Sequence, residues 1–492
     1  MTVEVAPEIP WRRLSRRMLF VHPVHELLRF LPLIVIFVVF GRGDVSNAPY
    51  GLIAAAAAVL LGVMRWLTTE YRVTPDQVQI RSGLLERKIS SVARDRVRAV
   101  DVTARVMHRL LGLAVVTIGT GRQAGQNDDA LRLDGLTVEE TARLRGELLD
   151  RTAGEEAAAP ATPGQVLARW RTSWVRYGPF SFSGFVTLGV LAGGAAQGLN
   201  ELGPVDTDDV HLPHVVEQLA DLGIGAVVTV AAIALVLAAT MLATAGYFIA
   251  HFRFTLSREA NGTLHVSRGL LTTRATTLEE RRLRGVELDL PLPLRLVRGA
   301  RLTAIATGAD AGATALLLPP APAAEARETA VRVLGDDTPV TGALREHPPA
   351  AIRRRWTRAL GPAAVLVAAT LVAGAAGVVS WPLAAAVAAV LLASGAALAL
   401  DRIRALGHAI AGRWLVAQSG SIRRTRAILE RDGVIGVNVR SSYFQRRAGV
   451  CTFTATTAGG REGYAVLDVD EATAIGLAEE TVPGLLTPFL RA

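Results

Sequence analysis

Val78-Gln79-Ile80-Arg81-Ser82-Gly83-Leu84-Leu85 alternates like a strand and then stops at a glycine and two leucines. The same shape returns as Leu264-His265-Val266-Ser267-Arg268-Gly269-Leu270-Leu271 and, more loosely, as Ser419-Gly420-Ser421-Ile422. A short apolar-polar run precedes each: Tyr71-Arg72-Val73-Thr74, Phe252-Arg253-Phe254-Thr255 and Trp414-Leu415-Val416-Ala417. A valine follows each glycine at one fixed spacing: Val100 after Gly83, Val286 after Gly269 and Val437 after Gly420. A second glycine comes at a nearly fixed spacing too, at Gly112, Gly299 and Gly449, and opens another alternating run. Period-two alternation reads as strand, and glycine admits the positive φ of a tight turn. Matching spacings in three places make an internal repeat. Each repeat closes on a helix start: Thr137-Val138-Glu139-Glu140 with capping-box spacing, Pro322 to Leu334, and Asp470-Glu471. The unit is a set of antiparallel strands, a small barrel or sandwich, sealed by one C-terminal helix.

Outward from the repeats lie six apolar stretches in three pairs: about 24–40 and 50–67, 180–198 and 222–250, 360–380 and 381–400. A membrane crossing needs about 20 mostly apolar residues in a helix. The mean hydropathy of +0.33 is high for a chain of 492 residues that must present a polar surface. Arginines flank the pairs: Arg12, Arg13, Arg16 and Arg17; Arg169, Arg171 and Arg176; Arg353, Arg354, Arg355 and Arg358; Arg402, Arg404 and Arg413. The loop within the second pair holds Glu201, Asp206, Asp208, Asp209, Glu217 and Asp221 and no basic residue. The positive-inside rule then places both termini and all three repeats in the cytoplasm. The expected layout is a basic segment 1–23, hairpin 24–67, first domain 68–152, linker 153–179, and hairpin 180–250 with an acidic outer loop 199–221. A second domain 251–336, basic linker 337–359, hairpin 360–400 and third domain 401–492 complete it. The fold class is a multi-pass α-helical membrane protein of six helices with three cytoplasmic domains.

Lys88-Ile89-Ser90-Ser91-Val92-Ala93-Arg94-Asp95-Arg96-Val97-Arg98-Ala99-Val100, followed by Arg109-Leu110-Leu111-Gly112, resembles the bacterial PH-like domain family. Arg431-Asp432-Gly433-Val434-Ile435-Gly436-Val437 with Arg446-Arg447-Ala448-Gly449-Val450 carries the same pattern; the second repeat departs at Pro291 and Pro293. The layout is similar to YdbT-type membrane proteins of several such domains. The resemblance implies a PH-like barrel in each repeat, a place in the bacterial inner membrane, and relatives linked with resistance to certain bacteriocins. It transfers no catalytic or binding residues.

Chemistry-bearing motifs are sparse. The six apolar cores hold no ionisable residue, and Gln197 and Ser394 are among their few polar groups. That argues against the rival reading, a transporter or exporter of peptides or lipids. Cys451, the only cysteine, sits on an alternating strand as a small core residue. His22, His25 and Glu26 lack further metal ligands nearby, and His211 and His214 form at most a weak pair. The expectation is a non-enzymatic scaffold with no cofactor, no metal and no catalytic residue. Its partners are membrane lipids and a membrane or cytoplasmic protein, not nucleic acid, because few aromatics accompany the arginines. The sequence names no oligomeric state. Basic residues outnumber acidic ones by about ten to four over 72–122, and by nine to two over 413–461. Each arginine near an anionic leaflet contributes on the order of 1 kcal/mol. Arg94, Arg96, Arg98, Arg423, Arg424 and Arg426 are therefore the candidate headgroup ligands, in a role supporting envelope integrity or resistance to membrane-active peptides.

Overall fold

A computed structural model describes residues 10–18, 67–83, 87–94, 99–119, 131–149, 164–181, 224–307 and 316–484, with positions 63, 64, 186, 189, 190 and 193. The first hairpin, the helix expected over 180–198, the acidic loop and His22, His25, His211 and His214 lie outside the described residues, apart from those few positions.

In chain order, β1 (Arg12–Arg13), β2 (Glu70–Val73), β3 (Gln77–Ser82), β4 (Lys88–Ala93) and β5 (Ala99–Ala104) lead to the short α1 (Val106–Leu110). β6 (Leu113–Gly119), β7 (Leu131–Thr137) and α2 (Val138–Leu149) close the first repeat. β8 (Gln165–Arg169) and a 3-10 turn over Thr172–Tyr177 precede α3 (Ile224–His251). The second repeat holds β9 (Thr255–Arg258), β10 (Thr263–Arg268), β11 (Thr273–Glu279), β12 (Leu283–Pro291), α4 (Leu292–Leu296), β13 (Gly299–Ala306), β14 (Leu316–Pro322) and α5 (Ala323–Leu334). Then come α6 (Thr338–Thr341), α7 (Pro349–Ala375) and α8 (Trp381–Arg404). The third repeat holds β15 (Gly407–Ala411), β16 (Trp414–Ser419), β17 (Arg423–Glu430), β18 (Val434–Arg440), α9 (Tyr443–Arg447), β19 (Cys451–Thr457), β20 (Gly463–Val469) and α10 (Glu471–Thr481).

The elements follow the sequence signals. Gly269 and Gly420 sit at φ +112° and +99°, and a Cβ on either would collide with a carbonyl oxygen across the turn, Thr272 or Arg423. The capping box forms as spaced: Glu140 accepts from the Thr137 amide and the Thr137 hydroxyl accepts from the Glu140 amide, both at 3.2 Å. Asp470 caps α10 by accepting from the Thr473 amide at 2.9 Å, a contact of about 1 kcal/mol.

The chain divides into two compact units, and the division runs through the second repeat, between Arg282 and Leu283. In the first unit, β1-β2-β3-β4 form one antiparallel sheet and β7-β6-β5-β11-β10-β9 run through another. Tyr71, Val78, Ile80 and Val92 from the first sheet pack on Val100, Val116, Ile118 and Leu133 from the second, with Leu144 of α2 closing the core. In the second unit the sheets are β14-β13-β12-β17-β16-β15 and β18-β19-β20. Leu415 and Leu429 meet Phe453, Val466 and Leu477 of α10 in the same way. Cys451 belongs to that core, 6% exposed, and burial pushes its thiol up.

Among the described residues three helices, α3, α7 and α8, are long and apolar enough to cross a membrane. Val228, Ile233, Leu237, Met241 and Leu242 of α3 are exposed, the surface a lipid-facing helix presents. α7 and α8 form a hairpin packed through small residues: Gly374 faces Ala384, and Gly395 faces Ala363. α7 starts at Pro349, so Arg353, Arg354, Arg355 and Arg358 ride on its first turns instead of preceding it. At the end of α3, Tyr247 and Phe248 pack on Trp170 at 6.0 and 6.3 Å, and the Tyr247 hydroxyl donates to the Pro320 carbonyl.

Candidate anion site at a strand seam

In each unit the last strands of one repeat and the first strands of the next share a sheet, meeting at a seam. Across the first seam Val100 of β5 lies opposite Thr277 of β11, and across the second Val286 of β12 lies opposite Ile428 of β17. Val100 stands to Gly83 as Val286 stands to Gly269, and Thr277 stands to Gly269 as Ile428 stands to Gly420, so the two registers are the same. One arginine staples each seam from an equivalent position, Arg109 after Gly83 and Arg295 after Gly269. Arg109 of α1 donates to the Leu270 carbonyl at 2.5 Å, and Arg295 of α4 donates to the Ser421 carbonyl at 3.2 Å. Leu270 and Ser421 each directly follow a hairpin glycine.

The seams differ in what faces that arginine. In the second unit a carboxylate of the chain fills the place: Asp401, at the end of α8, accepts from Arg295 at 2.6 Å, Arg424 at 2.8 Å and the Ser421 hydroxyl at 3.0 Å. In the first unit the corresponding region is a cavity of about 510 Å³ lined by Arg109, Arg253, Arg268 and Arg274, with Val102, Ser267 and Thr273. Arg109, Arg253 and Arg274 make no ion pair among the described residues. Arg268 and Arg274 stand directly opposite one another on β10 and β11. Like charges so placed destabilise a ladder by roughly 0.2–1 kcal/mol, a penalty that a bound anion removes. Asp101 of β5, whose carboxylate feels the charges of Arg274 and Arg268, accepts from the Thr276 hydroxyl at 3.2 Å. Burial pushes the Asp101 carboxyl up despite that bond, and burial together with Arg274 brings Arg268 down to about 10. Phe252, the residue directly after α3, lines the same cavity and accepts from the Gly269 amide at 2.9 Å.

A second basic cavity, of about 840 Å³, lies within the second unit between Arg176, Arg298 and Arg327, beside the N-terminus of α5. Arg295 also lines it but is held by Asp401.

The candidate headgroup arginines are placed differently. Arg94 donates to the Pro75 and Glu147 carbonyls, while Arg96 and Arg98 lie outside the described residues. Arg423 makes two bonds to Asp289, at 2.9 and 2.8 Å. Arg424 takes Asp401, and Arg426 donates to the Pro339 and Gly342 carbonyls at 2.9 and 3.0 Å. The β17 arginines are thus bonded within the chain, and the four cavity arginines are others. Their sequence signal was weak: Arg253 follows a span, Arg268 precedes a turn glycine, and only pairing of β11 with β5 brings Arg109 to them. Among the described residues no three His, Cys, Asp or Glu side chains are grouped to hold a metal ion.

The model of the bacterial PH domain family matches residues 27–152 and 363–479. Both regions are bacterial PH domains. The second match begins inside α7 and takes in α8 and the strands of the third repeat, so the bacterial PH domain here includes its helical hairpin. The middle repeat is unmatched although its elements stand at the same offsets, with Pro291 ending β12 and Pro293 in the first turn of α4. No curated relative and no solved structure matches the chain.

Proposed function

We propose that this chain is a non-enzymatic scaffold of the bacterial inner membrane, of YdbT-type layout, with six spans, three cytoplasmic PH-like domains and cytoplasmic termini. Its first seam binds the phosphate of anionic lipid headgroups. The observation that supports the reading is the four-arginine cavity, lined in part by the residues that directly follow α3: Arg109, Arg253 and Arg274 make no ion pair there among the described residues, whereas Asp401 holds Arg295 in the second seam. Arginine forks suit phosphate oxygens, and a headgroup at the end of a span is within reach of Arg253. By holding such lipids and a protein partner together, the protein supports envelope integrity or resistance to membrane-active peptides.

The test is lipid retention by the full chain purified in gentle detergent, read by native mass spectrometry. The wild type retains anionic lipid over phosphatidylcholine. Arg268→Ala with Arg274→Ala lowers that retention by roughly ten- to thirty-fold, at about 1 kcal/mol per arginine. Equal retention of both lipids, or no change in the double variant, overturns the proposal.

A further inference from the structure

Two strand edges repeat the seam chemistry and have no strand beside them among the described residues. β5 and β12 each pair with the third strand of the following repeat, β11 and β17. In the third repeat β18, the counterpart of β5 and β12, is the outer strand of the β18-β19-β20 sheet. In the first repeat β4, the counterpart of β11 and β17, is the outer strand of the sheet β1-β2-β3-β4. An unpaired edge presents a row of amides and carbonyls ready to accept a strand.

The positions that make the two internal seams are all present in the third repeat, on β18 and on α9 after it. Val437 stands to Gly420 as Val100 and Val286 stand to the hairpin glycines of their own repeats. Immediately before that valine the first two seams have Ala99 and Gly285, facing the buried Leu278 and Leu429. A Cβ on Gly285 would collide with the Ile428 carbonyl oxygen of β17, so that glycine answers to the neighbouring strand. β18 has Gly436 there and a register shift beside it, as β12 has beside Gly285, yet the nearest atom to a Cβ on Gly436 is the Thr456 hydroxyl of its own sheet at 3.4 Å. Arg446 occupies the position of the staple arginines Arg109 and Arg295, and it turns back to the Ser441 carbonyl. Exposed Ile435 and Val439 on β18 and Ile89 on β4 add apolar surface to the two edges.

We infer that β18 of one copy pairs antiparallel with β4 of a second copy in the register of the internal seams, continuing the array head to tail. The register sets Val437 opposite Ser91, Gly436 opposite Val92 and Val439 opposite Ile89. It also sets Arg440 opposite Lys88, a like-charged pair that weakens the contact. Such an interface is heterologous, so copies form rows or rings, not closed two-fold dimers. Spans confine the copies to one plane and raise their effective concentration. The inference does not rest on the headgroup reading.

The test mixes two differently tagged full-length chains in lipid nanodiscs or gentle detergent, one carrying Ser91→Cys and the other Val437→Cys, under mild oxidation. Cys451 is buried and stays in place, capped before denaturation. The expected product is a mixed-tag disulfide, formed far less with the off-register pair Ser90→Cys and Ile435→Cys. No adduct, equal adducts from both pairs, or adducts formed by the Ser91→Cys chain alone overturn the inference. Two variants that leave each copy's own packing intact add a quantitative arm. Arg440→Glu tightens the association by a few-fold to about ten-fold, and Gly436→Ala weakens it. The opposite order of these two effects overturns the register.

Discussion

The carboxylate of Asp468 lies 2.9 Å from the guanidinium of Arg355, and only 2% of that aspartate side chain meets solvent. Arg354 reaches it as well, at 3.1 Å, and the Gln445 amide donates to it at 2.8 Å. Arg354 and Arg355 ride on the first turns of α7, and Asp468 closes β20, so a buried charge cluster ties the helical hairpin to the last PH-like module.

Asp468→Asn leaves two largely buried guanidinium groups short of a counter-charge. Breaking such a cluster from one side costs about 3–5 kcal/mol. The expected outcome is a melting temperature several degrees lower in detergent, with the hairpin-proximal module more accessible to protease than in the wild type. An unchanged melting temperature would falsify the assignment of the cluster as a structural tie.

Asp401→Asn empties the second seam of its internal anion while leaving Arg295 and Arg424 in place. Stability falls by about 2 kcal/mol, because the three side chains are partly exposed. The variant also gains an anion site of the first-seam kind. Retention of an additional anionic lipid, or partial recovery of the melting temperature in phosphate, is the expected signature.

Gly285→Ala and Gly436→Ala separate a glycine required inside the chain from one that is not. At φ +150° and against the Ile428 carbonyl, Gly285 has no room for a methyl group, and the substitution costs at least about 2 kcal/mol. Gly436→Ala changes the stability of the single copy by less than about 0.5 kcal/mol. Chemical denaturation of the two variants under identical detergent conditions tests the contrast.

Acid destabilises the protein in two steps. His347 and His408 stack edge-to-face at 5.0 Å; burial, then its neighbour His408, lowers His347 to about 4, and burial lowers His408. Both are neutral when folded, whereas an unfolded histidine takes a proton below about 6.5. The stability they contribute is complete above that value and is lost as pH falls from about 6.5 towards 4. His347→Phe removes on the order of 2 kcal/mol of that slope. The second step belongs to Asp289 and Glu279. Burial alone would raise both, but Arg423 and Arg301 on the first, and Arg281 and Arg282 on the second, hold them below the usual range. Their contribution is present above about 4 and disappears as pH falls through their folded values. Denaturation midpoints between pH 7.5 and 3 resolve the steps, and a His347→Phe profile identical to wild type between 6.5 and 4.5 rejects the first.

The module itself was legible in the residues. Alternation, a turn glycine and a valine at a fixed offset are local signals, and so is the Thr137–Glu140 capping box, because each acts within a short reach of chain. The apolar runs of α3, α7 and α8 could be read for the same reason, since backbone polar groups in lipid are satisfied within the helix. What only the tertiary structure decided is which edge meets which. Period-two alternation says which face of a strand is buried and is silent about the strand beside it, so the pairings of β5 with β11 and of β12 with β17 were hidden. The arginines show the consequence. Arg423 and Arg424 read as free basic residues because their counter-charges, Asp289 and Asp401, stand far off along the chain, on β12 and at the end of α8. Arg109, Arg268 and Arg274 became neighbours only when two repeats shared a sheet. Charge along a chain is a local property, but whether a charge is neutralised depends on contacts that only the folded chain makes.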